Sequence, residues 1–192
     1  MLKKNFYVIA IICFCKIKLF SALPMITEDV PTVTKSKFEF EYSLKISKEI
    51  SMSWSLKYGI FKNIDIGISL SNSLDFKNFE TQMTTKINLV KDLISLSLTQ
   101  EAWRLSTVLL ILERNIEIFN FYFNVGVQEN GIFYNIAIER TFNKFDVIIE
   151  NIEQNYFNFG CRIKFTDSLN LGIGINTDFG KTNYSLGIHK EF

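Results

Sequence analysis

The side chains that could do chemistry recur with a step of two. Glu39, Glu41, Asp65, Glu80, Glu139, Asp146 and Glu150 fall on the polar parity of alternating runs. So do Lys45, Lys57, Lys86, Arg162 and Lys164, and so does His189, the one histidine. Carboxylates gathered on one face could exchange protons or bind a cation. Carboxylates interleaved with lysine and arginine on neighbouring strands more simply pair as opposite charges, and that is the preferred reading. No serine stands in a recognisable nucleophile motif, so His189 receives no catalytic role. Gly172 and Gly174 form Gly-x-Gly inside a strand pattern, not before a helix; they relieve crowding and do not cradle a phosphate. Asn183-Tyr184-Ser185 is formally a glycosylation triplet, without meaning in a bacterial host. The expectation is a chain that is not an enzyme and binds no cofactor or metal.

The elements that must carry these residues are strands. From Ser36 onwards apolar and polar residues alternate almost everywhere, the period of a half-buried strand. Phe38, Phe40, Tyr42, Leu44 and Ile46 alternate with Glu39, Glu41, Ser43 and Lys45. Trp54, then Ile66 and Ile68, then Phe121 and Phe123, then Ile136, stand on the apolar parity of later runs. Phe157 and Phe159, Leu171 and Ile173, and finally Tyr184, Leu186 and Ile188 continue the series to Phe192. The stretch Leu105 to Glu113 contains Val-Leu-Leu-Ile-Leu and loses the alternation, so a short helix competes with a strand there. Short polar segments such as Lys62-Asn63, Lys91-Asp92 and Asn130-Gly131 separate the runs. The pattern predicts about twelve strands (10–12), with short turns on both sides and an antiparallel meander as the simplest topology. Trp54, Tyr58, Phe61, Trp103, Tyr156 and Phe192 are read as lying towards strand ends, where aromatic girdles form.

Residues 1–22 read as a signal peptide: two lysines, Lys3 and Lys4, precede an apolar run from Phe6 to Cys15 that is too short to span a bilayer as a helix. Removing them takes four lysines from the 21 basic residues and no acid, leaving 17 against 20, a net charge of −3. That balance gives no reason to expect nucleic acid as a partner. Two of the three cysteines leave with the leader; Cys161 alone can form neither an internal disulfide nor a cysteine metal cluster. Residues 23–35 carry Pro24 and Pro31 without a period and read as an extended arm, which could plug the barrel or hang outside it. Residues 36–192 form the strand-rich domain.

The closing stretch from Thr182 to Phe192, apolar on one parity and ending on an aromatic residue, resembles the terminal strand of bacterial outer-membrane β-barrels. In those proteins such a strand (here Tyr184, Leu186, Ile188 and Phe192) is the signal read by the barrel-assembly machinery. Lys190 departs from that pattern; its stem can lie along apolar surface while the amine reaches water. Pro24 to Asp29, then Lys37 to Glu41, and the hairpin from Lys57 to Ile68 are similar to the phenol-degradation meta-pathway transporters. The likeness covers roughly residues 24–70 and the last strand, and implies an outer-membrane location without supplying site residues.

The pattern therefore predicts an all-β fold: a closed antiparallel up-and-down transmembrane β-barrel. A soluble barrel or sandwich would alternate too, but it would have to enclose about fifty apolar side chains in one interior. Turned outward against outer-membrane lipid, they need no partners, while the charged parity and His189 line the lumen. In hydrocarbon every backbone group must be paired, so the sheet has to close. The expected function is a passive pore for small solutes or ions, or a structural membrane component. The alternatives are a lipid-modifying enzyme of the outer membrane, which resembles the twelve-stranded phospholipases with a Ser-His-Asn site, and a soluble secreted binding module. His189 has the lumenal parity, opposite to what the lipase arrangement needs.

Overall fold

The structure, a computed structural model, describes residues 31–48, 50–73, 79–102, 104–152, 156–178 and 181–192. The leader 1–22 and the first part of the arm, 23–30, lie outside the described residues. Twelve strands follow one another: β1 (Phe38–Ile46), β2 (Ile50–Phe61), β3 (Ile64–Ser73), β4 (Phe79–Val90), β5 (Ile94–Glu101), β6 (Arg104–Ile116), β7 (Phe119–Gln128), β8 (Gly131–Phe142), β9 (Phe145–Ile152), β10 (Tyr156–Thr166), β11 (Leu169–Asp178) and β12 (Lys181–Glu191). Each pairs antiparallel with its neighbour in sequence, and β1 pairs with β12, so the sheet is a closed barrel. The Phe192 N–H donates to the Phe38 carbonyl at 2.8 Å. That bond puts the start of β1 and the end of β12 at one rim, called here the terminal rim.

The turns at this rim are tight. Asp92 and Asn143 adopt φ of 57° and 51°, which short polar side chains tolerate better than most. Bonds between successive turns stitch the rim together: Asn88 N–H to Asn63 O, Glu113 N–H to Leu93 O, Lys164 N–H to Lys144 O and Glu191 N–H to Ser168 O, at 2.7 to 3.1 Å. Three of the four register shifts in the barrel also lie at this end, in the β2–β3, β4–β5 and β10–β11 hairpins, where bulges adjust strand twist.

The ambiguous sixth stretch is a strand, and a bulge contributes to its irregular pattern. Thr99 faces Thr107 but Gln100 faces Leu105, so Ser106 is the extra residue. Upstream of it the parity flips, which puts Arg104 opposite Glu101. Downstream, Leu109 and Ile111 point inward, so both parities of the run are apolar.

The apolar residues lie mostly outside. Only six described hydrophobic residues are buried: Val33, Leu109, Ile111, Tyr122, Ala137 and Ile148. Phe159, Ile173 and Leu186 are 47%, 49% and 41% exposed, and Phe40 and Phe121 lie half-buried among their neighbours on the same outer face. The buried polar set is larger and includes Asp65, Lys86, Glu139, Asp146 and Glu150. The barrel is thus inverted relative to a water-soluble one, with an apolar band around the outside far larger than the few hundred Å² that soluble monomers expose.

Candidate functional site: the interior of the barrel

The interior is built from alternate residues of all twelve strands, and its charges collect near the terminal rim. Strand registers place Glu39 opposite Lys57, Glu41 opposite His189, Asp65 opposite Lys86, and Asp146 opposite Arg162. Because β1 begins and β12 ends at the same rim, residues far apart in sequence are brought to one height.

Two ion clusters lie there. In the first, Lys57 Nζ lies 2.7 Å from Glu39 Oε1 and 3.4 Å from Glu41 Oε1. Ser55 donates its hydroxyl to Glu41 at 3.0 Å. His189 Nε2 is 3.2 Å from Glu39 Oε2, and its Nδ1 is 3.2 Å from the Asn170 amide nitrogen. With that amide donating to Nδ1, the neutral ring carries its proton on Nε2, which stands beside Glu39 at ion-pair distance without a hydrogen bond. The Asn170 amide holds Nδ1 and the Glu39 carboxylate stands beside Nε2, so neither nitrogen is presented to a nucleophile. Glu39, Glu41 and His189 are close enough to share a cation. Lys57 already stands between the two carboxylates and supplies that positive charge itself, so the cluster is an ion-pair network before it is a metal site.

In the second cluster Arg162 reaches across β9. Its Nη2 lies 2.9 Å from Glu139 Oε2 on β8, and its Nη1 lies 3.4 Å from Asp146 Oδ2 on β9. Lys164 Nζ meets Asp146 Oδ1 at 2.9 Å. Asp146 has no exposed surface, so its charge is tolerable only because two cations flank it. Asn120 donates to Glu139 at 3.4 Å and Asn158 donates to Glu150 at 3.0 Å. Pairing between adjacent strands accounts for Lys57–Glu39 and Arg162–Asp146; the Arg162–Glu139 bond spans two strands and was not legible as a neighbour pair.

The arm enters the same mouth. Val33 is buried, and its N–H donates to Asp65 Oδ2 at 2.9 Å. Lys35 bridges to Gly59, the Ser36 N–H donates to the Gly59 carbonyl at 2.8 Å, and the Gly59 N–H donates to the Lys37 carbonyl at 3.1 Å. Gly59 points inward, and a Cβ there would sit 2.3 Å from the Thr34 carbonyl oxygen. The missing side chain is what lets the arm lie against the wall. Residues 31–37 therefore narrow the barrel at the terminal rim.

Away from that rim the lining changes. Ser43, Ser53, Ser55, Ser69, Ser71 and Gln82 line a cleft of about 230 Å³ that reaches Glu41. Lys45 and Glu80 are exposed at the far end; Glu80 lies 3.5 Å from the Ser71 hydroxyl, and Gln82 donates to Glu101 at 2.6 Å. The opposite wall carries an apolar patch beside the buried Asn124 and Asn135: Leu109 and Ile111 pack with Phe133, whose ring covers Gly126. The residues missed in the sequence were Val33, Glu101, Glu113 and this inward apolar group. Glu101 and Glu113 could have been found by extending the alternation; Val33 could not.

On the outer face Phe38, Trp54, Ile66, Ile68, Phe123, Ile136, Phe157 and Phe192 are exposed, and Tyr42, Leu171 and Ile188 are half-buried. Aromatic rings crowd the terminal rim. Phe38 and Tyr58 lie 4.6 Å apart, and Phe142 and Phe145 stack at 5.2 Å. Arg140 covers Phe142 at 4.4 Å and Phe119 at 5.5 Å, and Lys190 covers Phe192 at 4.9 Å. Trp54 is a correction: it pairs with Tyr42 in the middle of β1, so it stands at mid-height and belongs to no girdle. Trp103 and the ring of Tyr156 lie outside the described residues.

A closed, twelve-stranded antiparallel barrel with an apolar outside and a charged, hydroxyl-bearing inside defines the class: a barrel of the porin architecture. Among solved structures the chain is similar to the KdgM porin, at a TM-score of 0.63 with 10% identity, covering 80% of this chain and 99% of that one. The same figures hold for the KdgM porin in complex with disordered oligogalacturonate. It is also similar to the Acinetobacter baumannii outer membrane protein Omp33, at a TM-score of 0.55 with 7% identity, covering 84% of this chain and 100% of that one. At these identities the likeness is one of fold. No protein-family model matches the chain, and no curated protein matches it by sequence.

Proposed function

We propose that this chain is an outer-membrane pore that lets small solutes or ions pass. The single observation that carries the reading is the inverted distribution of polarity in a closed sheet: exposed Phe159, Ile173 and Leu186 outside, buried Asp65, Asp146 and Glu150 inside. An outward apolar band needs lipid, and a charged interior needs water or counter-charges. In this reading the apolar parity faces lipid, the polar parity lines the lumen, the terminal rim faces the periplasm, and the β12 strand is recognised during assembly. Export through residues 1–22 belongs to the same proposal. The likeness of the 24–70 region to the phenol-degradation meta-pathway transporters supports a transport role without naming a solute.

The oligogalacturonate of the KdgM complex is a polyanion, and we do not carry it over. Among the described residues Lys57, Arg162 and Lys164 are each held by carboxylates of this chain, so these three offer it no unpaired charge. The test is reconstitution of the purified full chain in planar lipid bilayers, with heat-modifiable gel migration as the check on folding. Discrete conductance steps from a folded barrel are expected. A folded, membrane-integrated barrel that never conducts would leave only the structural role.

A further inference from the structure

We propose that the interior is selective for small cations, which take the hydroxyl-lined side past Glu41; this deepens the pore reading and rests on it. The first observation is the balance of charge on the inward registers. On the β1–β5 side, Glu39, Glu41, Asp65, Glu80 and Glu101 stand against Lys45, Lys57 and Lys86. On the remaining wall and at the terminal rim, Glu113, Glu139, Asp146, Glu150 and Glu191 stand against Arg104, Arg162, Lys164 and Lys37, which pairs with Glu191 at 3.0 Å. Among the described side chains ten carboxylates thus face seven cations, His189 aside. An excess of one sign inside a narrow low-dielectric wall concentrates the opposite ion.

The second observation is where the space is. The cleft of about 230 Å³ runs along Ser43, Ser53, Ser55, Ser69 and Ser71 to Glu41. Hydroxyl oxygens and a carboxylate can replace part of the water shell of a cation. The interior cations offer an anion little. Lys57 lies between two carboxylates, Arg162 is bonded to Glu139 and ion-paired with Asp146, and Lys164 is bonded to the buried Asp146. At the far end, Glu80 and Glu101 are exposed; Glu80 lies by the Ser71 hydroxyl, and Glu101 accepts from Gln82 and stands opposite Arg104. They form the acidic entrance to the same side.

The experiment is the reversal potential of the reconstituted full chain across a potassium chloride gradient. A potassium preference of several-fold is expected at about 0.1 M salt, shrinking towards none near 1 M as the screening length falls from about 10 Å to about 3 Å. Glu41→Gln should lower the preference by at least about twofold, and Glu80→Gln with Glu101→Gln should lower it further. The second pair is solvent-exposed, so it tests the proposal even where Glu41→Gln does not fold. Clear conductance steps with no preference, or with a chloride preference, overturn the selectivity and leave the pore intact. Cation preference unchanged in both sets of variants also overturns it. Absence of steps from a folded, heat-modifiable barrel overturns the pore reading itself.

Discussion

Gly59→Ala tests how the arm is held, because the change adds one carbon atom at the point of closest approach. The new Cβ would lie 2.3 Å from the Thr34 carbonyl oxygen and 2.5 Å from that of Val33, at least 0.5 Å inside the 3.0 Å limit that such atoms respect. Both obstacles are backbone, so the arm has to move. Docking of residues 33–36 rests on three hydrogen bonds, from Val33 to Asp65, Ser36 to Gly59 and Gly59 to Lys37. At roughly 1 kcal/mol for each neutral bond and about 2 for the one to a carboxylate, with roughly 1.5 for burying Val33, docking gains about 5–6 kcal/mol. Ordering four residues costs about 4–8 kcal/mol, so the docked arm is close to balance. Losing one neutral bond, about 1 kcal/mol, then shifts the docked population about fivefold. The strand itself should not suffer, since alanine fits a strand at least as well as glycine. Limited trypsin digestion of the folded protein reads the outcome: cleavage after Lys35 or Lys37 should accelerate about fivefold, with heat-modifiable migration unchanged. Equal cleavage rates in two equally folded proteins would refute the account of Gly59 as the seat of the arm.

Four further outcomes are expected. Asp146→Asn should cost about 2–3 kcal/mol, below the roughly 3–5 of a fully stranded buried pair, because Arg162 keeps Glu139 and the Lys164 amine can turn to water; the denaturant midpoint in detergent or lipid measures it. Lys164→Gln should cost under about 1 kcal/mol by the same measurement, being 36% exposed. Gly126→Ala should cost about 1–3 kcal/mol through overpacking, since its Cβ would lie 2.4 Å from the Phe133 ring and 2.9 Å from Leu109; thermal unfolding checks it, and Phe133→Leu should relieve part of the loss. Leu186→Arg, at the middle of β12, should cost about 2–4 kcal/mol if that face meets hydrocarbon, whereas Ser185→Asn on the inner parity should cost little; the folded fraction in lipid vesicles separates them.

Most of the barrel was written in the alternation of its residues. A step of two depends only on neighbours along the chain, so strand number, the turns at Lys62-Asn63 and Lys91-Asp92, and the parity of Glu39, Asp146 or Phe159 could be read directly. The irregular sixth strand could not. There a one-residue bulge at Ser106 and two inward aliphatic residues, Leu109 and Ile111, erased the period, and the decision between helix and strand fell to pairing with β5 and β7. Trp54 was misplaced because height in a barrel depends on register across strands, not on position within one run.

What the linear order determined by itself was local: extended segments, their two faces, and polar links between them. What only the tertiary structure decided was which of those segments meet. Closure of β1 on β12 carries His189 to Glu39, the reach of a long guanidinium carries Arg162 over β9 to Glu139, and a bare inward glycine admits Val33 to Asp65. Each of these contacts joins residues more than twenty positions apart. Their geometry comes from the shear and curvature of the whole closed sheet, which no window of neighbouring residues contains.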